Sequence, residues 1–231
     1  MGCMDLMKDY DDNHFDLAII DPNYGIGASK PSKKTGKVKQ KNGTTLLAPL
    51  PNYTPKDWDD KPVDPKILKE IFRVSKNQII WGCNYYDYDL RGGRIVWDKL
   101  NGDSDQFGCE IAYQSFNNRT DIVRFMWAGM FQGVYCGTDA KKAIVQQGNK
   151  ALNEKRVHVT QKPVALYDYL LNKYAKPGDS ILDTHLGSGS LAISCNKLGF
   201  DLTASEIDKE IYNDAWHRFK LETAQLKLKL L

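Results

Sequence analysis

The residues of this chain best suited to chemistry form the tetrapeptide 21–24, Asp-Pro-Asn-Tyr. It directly follows the apolar run 17–20, Leu-Ala-Ile-Ile, which is typical of a central strand in a parallel sheet. The Asp21 carboxylate can accept one hydrogen of an exocyclic amine, the Pro22 carbonyl can accept the other, and the Tyr24 ring can stack on a planar base. Because open α/β sheets bind ligands where their strands end, this pattern predicts a site that holds a nucleobase by its amine. An ordinary strand-end turn is the alternative interpretation.

A second group of residues has the pattern of a cofactor site. A strand, a glycine turn, a helix, and a strand followed by an acid are predicted in succession at 180–183, 187–189, 191–198 and 202–206. This order is typical of sites for adenosine-containing cofactors, where glycines let the backbone approach the ligand and the final acid, Glu206, reaches ribose hydroxyls. A dinucleotide site normally has a third glycine for the pyrophosphate, whereas this turn has only Gly187 and Gly189. The difference favours S-adenosylmethionine, which has no phosphate.

A third polar segment, 158–163, has the sequence His-Val-Thr-Gln-Lys-Pro. Pro163 is typical of a helix start, and Val164, Leu166 and Leu170 are spaced to form the buried face of the helix that follows. We expect the polar residues before this helix to cap it and to line a pocket.

Together, these three segments resemble motifs of DNA amino-methyltransferases, which methylate adenine or cytosine on the exocyclic nitrogen. Residues 21–24 resemble the family's Asp-Pro-Pro-Tyr, residues 183–190 its Asp-x-Phe-x-Gly-Ser-Gly-Thr, and residues 158–163 its His-Pro-Thr-Gln-Lys-Pro. The catalytic motif precedes the cofactor motif, as in the circularly permuted group called β-class. The resemblance covers nearly the whole chain.

The resemblance implies direct in-line methyl transfer from S-adenosylmethionine to a base taken out of the duplex, without a metal. The residues it implies in catalysis are Asp21, Pro22, Asn23 and Tyr24. Those it implies in cofactor binding are Thr160, Lys162, Asp183, His185, Gly187, Ser188, Gly189, Ser190, Glu206 and Ile207. Of these, Thr160 and Lys162 are expected to contact the cofactor carboxylate.

The substrate has several alternatives. Asp21 at the first motif position favours adenine, because cytosine-N4 enzymes of the family usually begin this motif with Ser. A cytosine-N4 DNA methyltransferase, an RNA adenine methyltransferase and a catalytically weakened DNA-binding relative remain the alternatives. Asn23 is the main departure from the family, since it replaces a proline and adds a side chain able to hydrogen-bond.

The predicted fold class is α/β: a single Rossmann-like methyltransferase domain with a mostly parallel sheet, a circularly permuted motif order and loop insertions for DNA recognition. The length of 231 residues suits one such domain. We divide the domain into a catalytic half (1–99), which includes a basic flexible loop (29–56), a target-recognition region (100–157) and a cofactor-binding half (158–231).

Lysines are concentrated in the basic loop. Between Pro22 and Lys56 there are seven lysines and no acid. We interpret the loop as an arm that contacts DNA phosphates, and a solvated, disordered insertion is the alternative. The lysines assigned to DNA are Lys30, Lys33, Lys34, Lys37, Lys39 and Lys41.

The overall composition restricts the class of protein less than the motifs do. Net charge is only +3, and the five cysteines show no metal-ligand spacing. No apolar stretch approaches the length of a signal or membrane segment, so we expect a cytoplasmic protein. DNA is the expected partner, and a homodimer through the last leucines of a predicted helix at 208–231 is left open.

Overall fold

The computed structural model describes residues 1–30, 37–39, 43, 45–47, 56–101, 107–128, 131–134 and 153–228. The helices in these ranges are α1 (Cys3–Met7), α2 (Pro65–Val74), α3 (Val164–Tyr174), α4 (Ser190–Leu198) and α5 (Lys209–Leu228). The strands are β1 (Phe15–Ile20), β2 (Lys37–Lys39), β3 (Thr45–Leu47), β4 (Ser75–Trp81), β5 (Gly93–Asp98), β6 (Cys109–Gln114), β7 (Thr120–Ala128), β8 (Phe131–Val134), β9 (Ser180–Asp183) and β10 (Asp201–Ala204).

Eight of the described strands form one sheet in the order β10-β9-β1-β4-β6-β5-β7-β8. Strands β10, β9, β1 and β4 are parallel, and β7 is parallel to β5. Strand β6 is antiparallel to both β4 and β5, and β8 is antiparallel to β7. The prediction of an α/β, Rossmann-like domain with a mostly parallel sheet is confirmed.

Strand β1 is buried on both faces, which explains its continuous apolar run. Leu17 and Ile19 belong to one core cluster, with residues of α3 and α4, whereas Ala18 and Ile20 belong to a second, with residues of α2. Alternate side chains of a strand point to opposite faces, so both faces of β1 require apolar residues. This double burial fixes the register of β1 and therefore where its carboxyl end lies.

Local sequence signals mark the ends of the helices. Asp64 caps α2 by accepting a hydrogen bond from the Lys66 backbone N–H at 2.8 Å, and Pro65 occupies the first helical position. Helix α4 lies between Gly189 at φ 74° and Gly199 at φ 78°, both in the left-handed region that favours glycine. The strand predicted at 202–205 lies one residue earlier, as β10.

The predicted basic loop contains a short antiparallel pair, β2 with β3. Its two ends are joined, because the Ser29 hydroxyl donates to the Lys56 carbonyl at 2.6 Å and the Lys56 N–H donates back to the Ser29 carbonyl at 3.4 Å. The segment therefore leaves and re-enters the domain at one point.

The range 100–157, predicted as a target-recognition region, contributes β6, β7 and β8 to the main sheet. These strands are part of the scaffold, since β6 lies between β4 and β5. A role of the range in target recognition stays a prediction.

Candidate active site at the carboxyl ends of β1 and β9

The two predicted groups of site residues lie at one edge of the sheet. Strands β1 and β9 are parallel neighbours, with Ala18 opposite Leu182. Asp183 is the last residue of β9, and Asp21 directly follows β1. The Asp21 carboxylate is close enough to contribute to a raised Asp183 pKa. The structure thus brings the tetrapeptide and the start of the glycine turn together.

The Asp21 carboxylate is held by two donors. Lys162 Nζ lies 2.5 Å from Asp21 Oδ1, and the Tyr24 hydroxyl donates to the same oxygen at 2.7 Å. Lys162 Nζ also donates to the Tyr24 oxygen at 2.9 Å, which closes a triangle of three groups. Burial raises the pKa of Asp21, and the Lys162 ammonium offsets part of that rise.

Glu110 is a second carboxylate in this cluster. Lys162 Nζ and the Tyr24 oxygen lie 3.0 and 3.1 Å from Glu110 Oε2. Lys99 Nζ lies 2.6 Å from the other oxygen, Oε1. Burial opposes ionisation of Glu110, but the two lysines outweigh it and lower its pKa to about 2. Glu110 is therefore an anion across the physiological pH range.

Sequence reasoning did not find Glu110. The residue lies in no recognised motif, and its position depends on β6 running antiparallel to β4. That orientation brings the first residues of β6 to the edge where the parallel strands end. The only available signal was a charged residue at the start of an apolar strand.

The Tyr24 ring is packed between residues of the same edge. It stacks on Tyr85 with ring centroids 5.1 Å apart and planes 14° from parallel. Gly82 has φ 70°, and a Cβ atom there would lie 2.2 Å from a carbon of the Tyr24 ring. Only glycine therefore permits this close approach. Stacking of Tyr24 on a target base stays a prediction, and Tyr85 covers one face of the ring.

Asp59 fixes the backbone that follows the tetrapeptide. The sequence did not indicate a role for this residue either. Its Oδ1 accepts hydrogen bonds from the N–H groups of Tyr24 at 2.7 Å and Gly25 at 2.8 Å. Its Oδ2 accepts from the Ala28 N–H at 2.7 Å. The side chain is buried, so these three bonds replace the water that the carboxylate has lost. Asp59 thus acts as an internal cap for this turn.

Asn23 uses its amide to hold the same turn. Its Nδ2 donates to the Lys61 carbonyl, and its own carbonyl accepts from the Val63 N–H at 3.1 Å. A proline at this position would keep the second bond and lose the first. The departure from the family motif therefore has a local structural role.

The Pro22 carbonyl, predicted to accept an amine hydrogen, has one weak partner among the described residues. The Tyr86 hydroxyl lies 3.4 Å from it and makes its shorter bond, 2.9 Å, to the Trp81 carbonyl. One hydroxyl hydrogen serves one good acceptor at a time, so the Pro22 oxygen keeps acceptor capacity.

Asp183 differs from Asp21 in having no basic partner among the described residues. Its carboxylate accepts one hydrogen bond, from the His185 N–H at 3.0 Å. It is 4% exposed, and burial raises its pKa to about 7, with further contributions from Asp21 and Glu206. A carboxyl group in this state is suited to a cationic ligand.

The glycine turn is held by Glu206. Its Oε2 accepts from the Gly187 N–H at 3.0 Å and its Oε1 from the Asp208 N–H at 2.9 Å. Gly187 has φ 51°, which places it in the left-handed region. Ile207 is 80% exposed beside this acid, an unusual exposure for its side chain. These residues leave an acid and an apolar surface side by side next to the turn.

The serines of the turn link it to the third segment. Ser190 Oγ donates to the Lys162 carbonyl at 2.6 Å and lies 3.1 Å from Ser188 Oγ. The Arg218 guanidinium of α5 donates to the Ser188 carbonyl at 2.8 Å and to Ser190 Oγ at 2.9 Å. Another of its nitrogens pairs with Glu154. Arg218, which is buried, and Glu154, which is half-buried, support the turn, and the sequence did not indicate either residue.

Thr160 and Lys162, the two residues of the third segment predicted to contact the cofactor carboxylate, lie in different environments. Thr160 is exposed, and its hydroxyl lies 3.2 Å from Nδ1 of His158, whose ring stacks on Trp58. Lys162 is buried, with its ammonium in the Asp21 cluster. His185 is kept neutral, because burial lowers its pKa to about 4. Contact of Thr160 and Lys162 with a cofactor carboxylate stays a prediction.

The DNA-binding assignments are only partly described. Lys30 pairs with Asp60 at 2.7 Å. Lys37 and Lys39 are described as strand backbone, and Lys33, Lys34 and Lys41 lie outside the described residues.

In the ranges that the structure covers, no group of three or more His, Cys, Asp or Glu could hold a metal ion. Nor is any helix within them long and apolar enough to cross a bilayer. The last leucines lie outside the described side chains.

The fold and the paired strand-end clusters define a Rossmann-like methyltransferase domain. Residues 80–216 match the N6/N4 methyltransferase family, described as DNA methylase. The type II methyltransferase M1.MboII of Moraxella bovis is 33% identical over 255 residues, with 93% of each chain covered. The chain belongs to the N6/N4 DNA methylase family.

Solved structures agree on the fold. The M1.HpyAVI–SAM complex superposes with a TM-score of 0.50 at 18% identity, covering 94% of this chain and 96% of that one. PvuII DNA methyltransferase, cytosine-N4-specific, gives a TM-score of 0.52 at 9% identity, covering 95% of this chain and 84% of that one. At these identities the likeness concerns the architecture alone.

Proposed function

We propose that the protein is a site-specific DNA methyltransferase that moves a methyl group from S-adenosylmethionine to the exocyclic N6 of an adenine taken out of the duplex. The observation that carries this proposal is the arrangement of two acids, the half-buried Asp21 and the buried Asp183, at the ends of neighbouring parallel strands. Membership of the N6/N4 DNA methylase family supports the reaction class.

The cofactor half fits S-adenosylmethionine. The Asp183 carboxyl has no basic partner among the described residues and a pKa of about 7, which suits a ligand with cationic groups. Glu206 and the exposed Ile207 would hold the ribose and the adenine ring, and the Gly187 turn would allow close backbone approach. The SAM complex of M1.HpyAVI supports this choice of cofactor.

The catalytic half would activate the amine by holding it. The lone pair of an aromatic amine is delocalised into its ring, so acceptors on both hydrogens are needed to make it available. In our proposal Asp21 accepts one hydrogen and the Pro22 carbonyl accepts the other. The cofactor supplies a methyl group on a sulfonium, and the carbon–sulfur bond breaks with its electron pair going to sulfur. The nitrogen then loses one proton, to Asp21 or to water.

Adenine is preferred because the motif begins with an aspartate. The test is transfer of a tritiated methyl group from labelled S-adenosylmethionine to DNA amplified without methylation. We expect incorporation by the wild type and a loss of at least about 100-fold in Asp21→Asn. Asp64→Asn is the matched control, because asparagine caps a helix as well as aspartate does and Asp64 lies outside the site.

The label identifies both the base and the polymer. Digestion of the product to nucleosides should return N6-methyladenine. N4-methylcytosine, or incorporation only into RNA, would replace the adenine DNA assignment by one of those alternatives. If the wild type bound cofactor and DNA but incorporated label only at background level, the protein would be a DNA-binding relative without methyltransferase activity. Sequencing DNA from an expressing host with detection of modified bases should return one recurrent motif if the enzyme is site-specific, as expected for a type II methyltransferase.

A further inference from the structure

Two donors in the catalytic cluster each lie between two carboxylates. The Lys162 ammonium and the Tyr24 hydroxyl both bond Asp21 Oδ1, at 2.5 and 2.7 Å. Both also lie within bonding distance of Glu110 Oε2, at 3.0 and 3.1 Å. The Tyr24 hydroxyl has one hydrogen, so it serves one of the two carboxylates at a time.

This sharing creates a requirement for the proposed reaction. Asp21 must accept a hydrogen of the target amine, yet the ammonium and the hydroxyl that bond its Oδ1 draw negative charge from the whole carboxylate and weaken both of its oxygens as acceptors. If Asp21 turned away with no other acceptor nearby, the Lys162 ammonium, whose side chain is 3% exposed, would be a buried and unpaired charge. Such a charge is strongly unfavourable, so the donors need a second partner.

Glu110 is built to be that partner. Its Oε1 is fixed by Lys99 at 2.6 Å, which leaves Oε2 for Lys162 and Tyr24. Its low pKa keeps it ionised, so it is available as an acceptor at any working pH. We propose that Glu110 is a positioning residue whose Oε2 takes over the Lys162 and Tyr24 donors when Asp21 accepts the target amine. This inference rests on the proposed function, because it assigns Asp21 to that amine.

The first test compares Glu110→Gln with the wild type in single-turnover transfer of a tritiated methyl group to unmethylated DNA. We expect the rate at saturating DNA and cofactor to fall about 100-fold, with DNA affinity retained, because the lost step follows binding. Glu110→Asp keeps the anion and should retain more activity than Glu110→Gln. Equal loss in the two variants, or a wild-type rate in Glu110→Gln, would overturn the inference.

Asp121→Asn is the matched control for the removal of an ion-paired carboxylate from a strand. Asp121 pairs with Lys173 at 2.9 Å and lines a cavity with Asp16, Lys76 and Asp179 at the opposite edge of the sheet. Its transfer rate should equal that of the wild type. Loss of transfer comparable to that of Glu110→Gln would show a general sensitivity of the sheet and would refute a specific role of Glu110.

A double-variant cycle separates this role from structural support. Without the Lys162 ammonium there is no buried charge to accommodate. In a Lys162→Met background, Glu110→Gln should therefore lower the transfer rate by less than about a further 3-fold. If Glu110→Gln lowered the transfer rate as much in this background as in the wild type, Glu110 would not act by accepting the Lys162 donor. A wild type that transfers no methyl group would refute the proposed function and this inference together, whereas normal wild-type transfer with an insensitive Glu110 refutes the inference alone.

Discussion

The carboxyl ends of β1 and β9 lie side by side, but the acids at the end of β1 have cationic partners and the acid at the end of β9 has none among the described residues. At the end of β1, Asp21 and Glu110 share the Lys162 ammonium, and Lys99 adds a second cation. At the end of β9, Asp183 has only a backbone N–H as its described partner. The first end carries its own counter-ions, and the second leaves a buried acid without one.

The difference follows from what each end is proposed to bind. A neutral amine brings no charge, so the acids that wait for it need cations from the protein itself. A sulfonium cofactor brings positive charge, so an acid that waits for it is left unbalanced until the ligand arrives. The comparison predicts that removing charge will have opposite effects on stability at the two ends.

The largest effect is expected from Lys162→Met. This variant deprives two half-buried carboxylates of their shared buried cation, which should lower the free energy of unfolding by about 5 kcal/mol near neutral pH and lower the rate of transfer about 100-fold, to a rate that is still measurable. The freed carboxylates can relieve the repulsion by binding a proton, so the deficit should shrink as the pH is lowered. Urea unfolding at several pH values measures this.

Lys99→Met is the control for this variant. Among the described residues Lys99 pairs with one carboxylate, Glu110, and Lys162 would remain beside that acid. Its loss should therefore cost about 1 kcal/mol. If the two lysine variants were equally destabilised, the shared position of Lys162 would not be the reason for its effect.

The second effect is expected from Asp183→Asn and has the opposite sign. The folded pKa of Asp183 is about 7 against an ordinary 3.8, so the folded state retains a proton that the unfolded state loses. Stability contributed by this proton is complete below pH 4 and is lost as pH rises through 7, by roughly 4 kcal/mol. Asparagine has no such proton, so the cofactor-free variant should exceed the wild type in stability at pH 8 and match it near pH 4.

Two histidines make the free energy of unfolding rise with pH over part of the range from pH 4 to pH 7, which is opposite to the effect of Asp183. Burial lowers the pKa values of His158 and His185 to about 4, so their contribution grows as pH rises toward 6.5. Both are present in the two proteins, and the difference between the stability curves therefore isolates Asp183. The variant should also bind S-adenosylmethionine at least about 10-fold more weakly by calorimetry. Equal curves, or equal cofactor affinity, would contradict the assignment.

Asp16→Asn serves as a comparison on the same sheet. Hydrogen bonds from Lys76 and from the Ser180 N–H lower the Asp16 pKa to about 2. Its stability contribution is present above the ordinary pKa and is lost as the pH falls toward 2. The variant should be less stable than the wild type at pH 8, the reverse of Asp183→Asn.

Prediction from the sequence succeeded where the signal is local. A run of apolar residues marks β1, paired glycines mark the turn after β9, and the acids Asp21 and Asp183 follow directly. Their neighbourhood follows from the rule that parallel strands end at one edge. These local patterns were sufficient for the fold class and for placing Asp21 and Asp183 at one edge of the sheet.

Prediction failed where a single charged residue acts across the chain. Glu110 reaches the site because β6 is inserted antiparallel between β4 and β5, and no local pattern specifies that insertion. Asp59 acts on a backbone more than thirty positions away, and Arg218 reaches the turn from α5. The balance of charge at the end of β1 therefore could not be derived from motifs, whereas the identity of its central acid could.

A smaller effect is expected from Asn23→Ala. The variant loses the amide bond to the Lys61 carbonyl and keeps the backbone bond to Val63, so stability should fall by about 1 kcal/mol. Methyl transfer should be nearly unchanged, because the amide faces the supporting loop and the Asp21 donors are untouched. Thermal unfolding and tritium transfer measure the two quantities. A large loss of transfer with normal stability would instead place the Asn23 side chain in contact with the base.

The smallest effect is expected from Lys56→Met, at the point where the basic segment re-enters the domain. Lys56 pairs with Asp208 at 2.5 Å and with Glu210 at 2.8 Å, but all three side chains are partly exposed, by 20%, 27% and 60%. Water and salt screen such pairs, so we expect a stability loss of about 0.5 kcal/mol that disappears in high salt. Lys8→Met, which breaks an exposed pair with Asp5, is the matched control and should have no measurable effect. If Lys56→Met were as damaging as Lys162→Met, burial would not be what separates the charges that matter at this edge from those that do not.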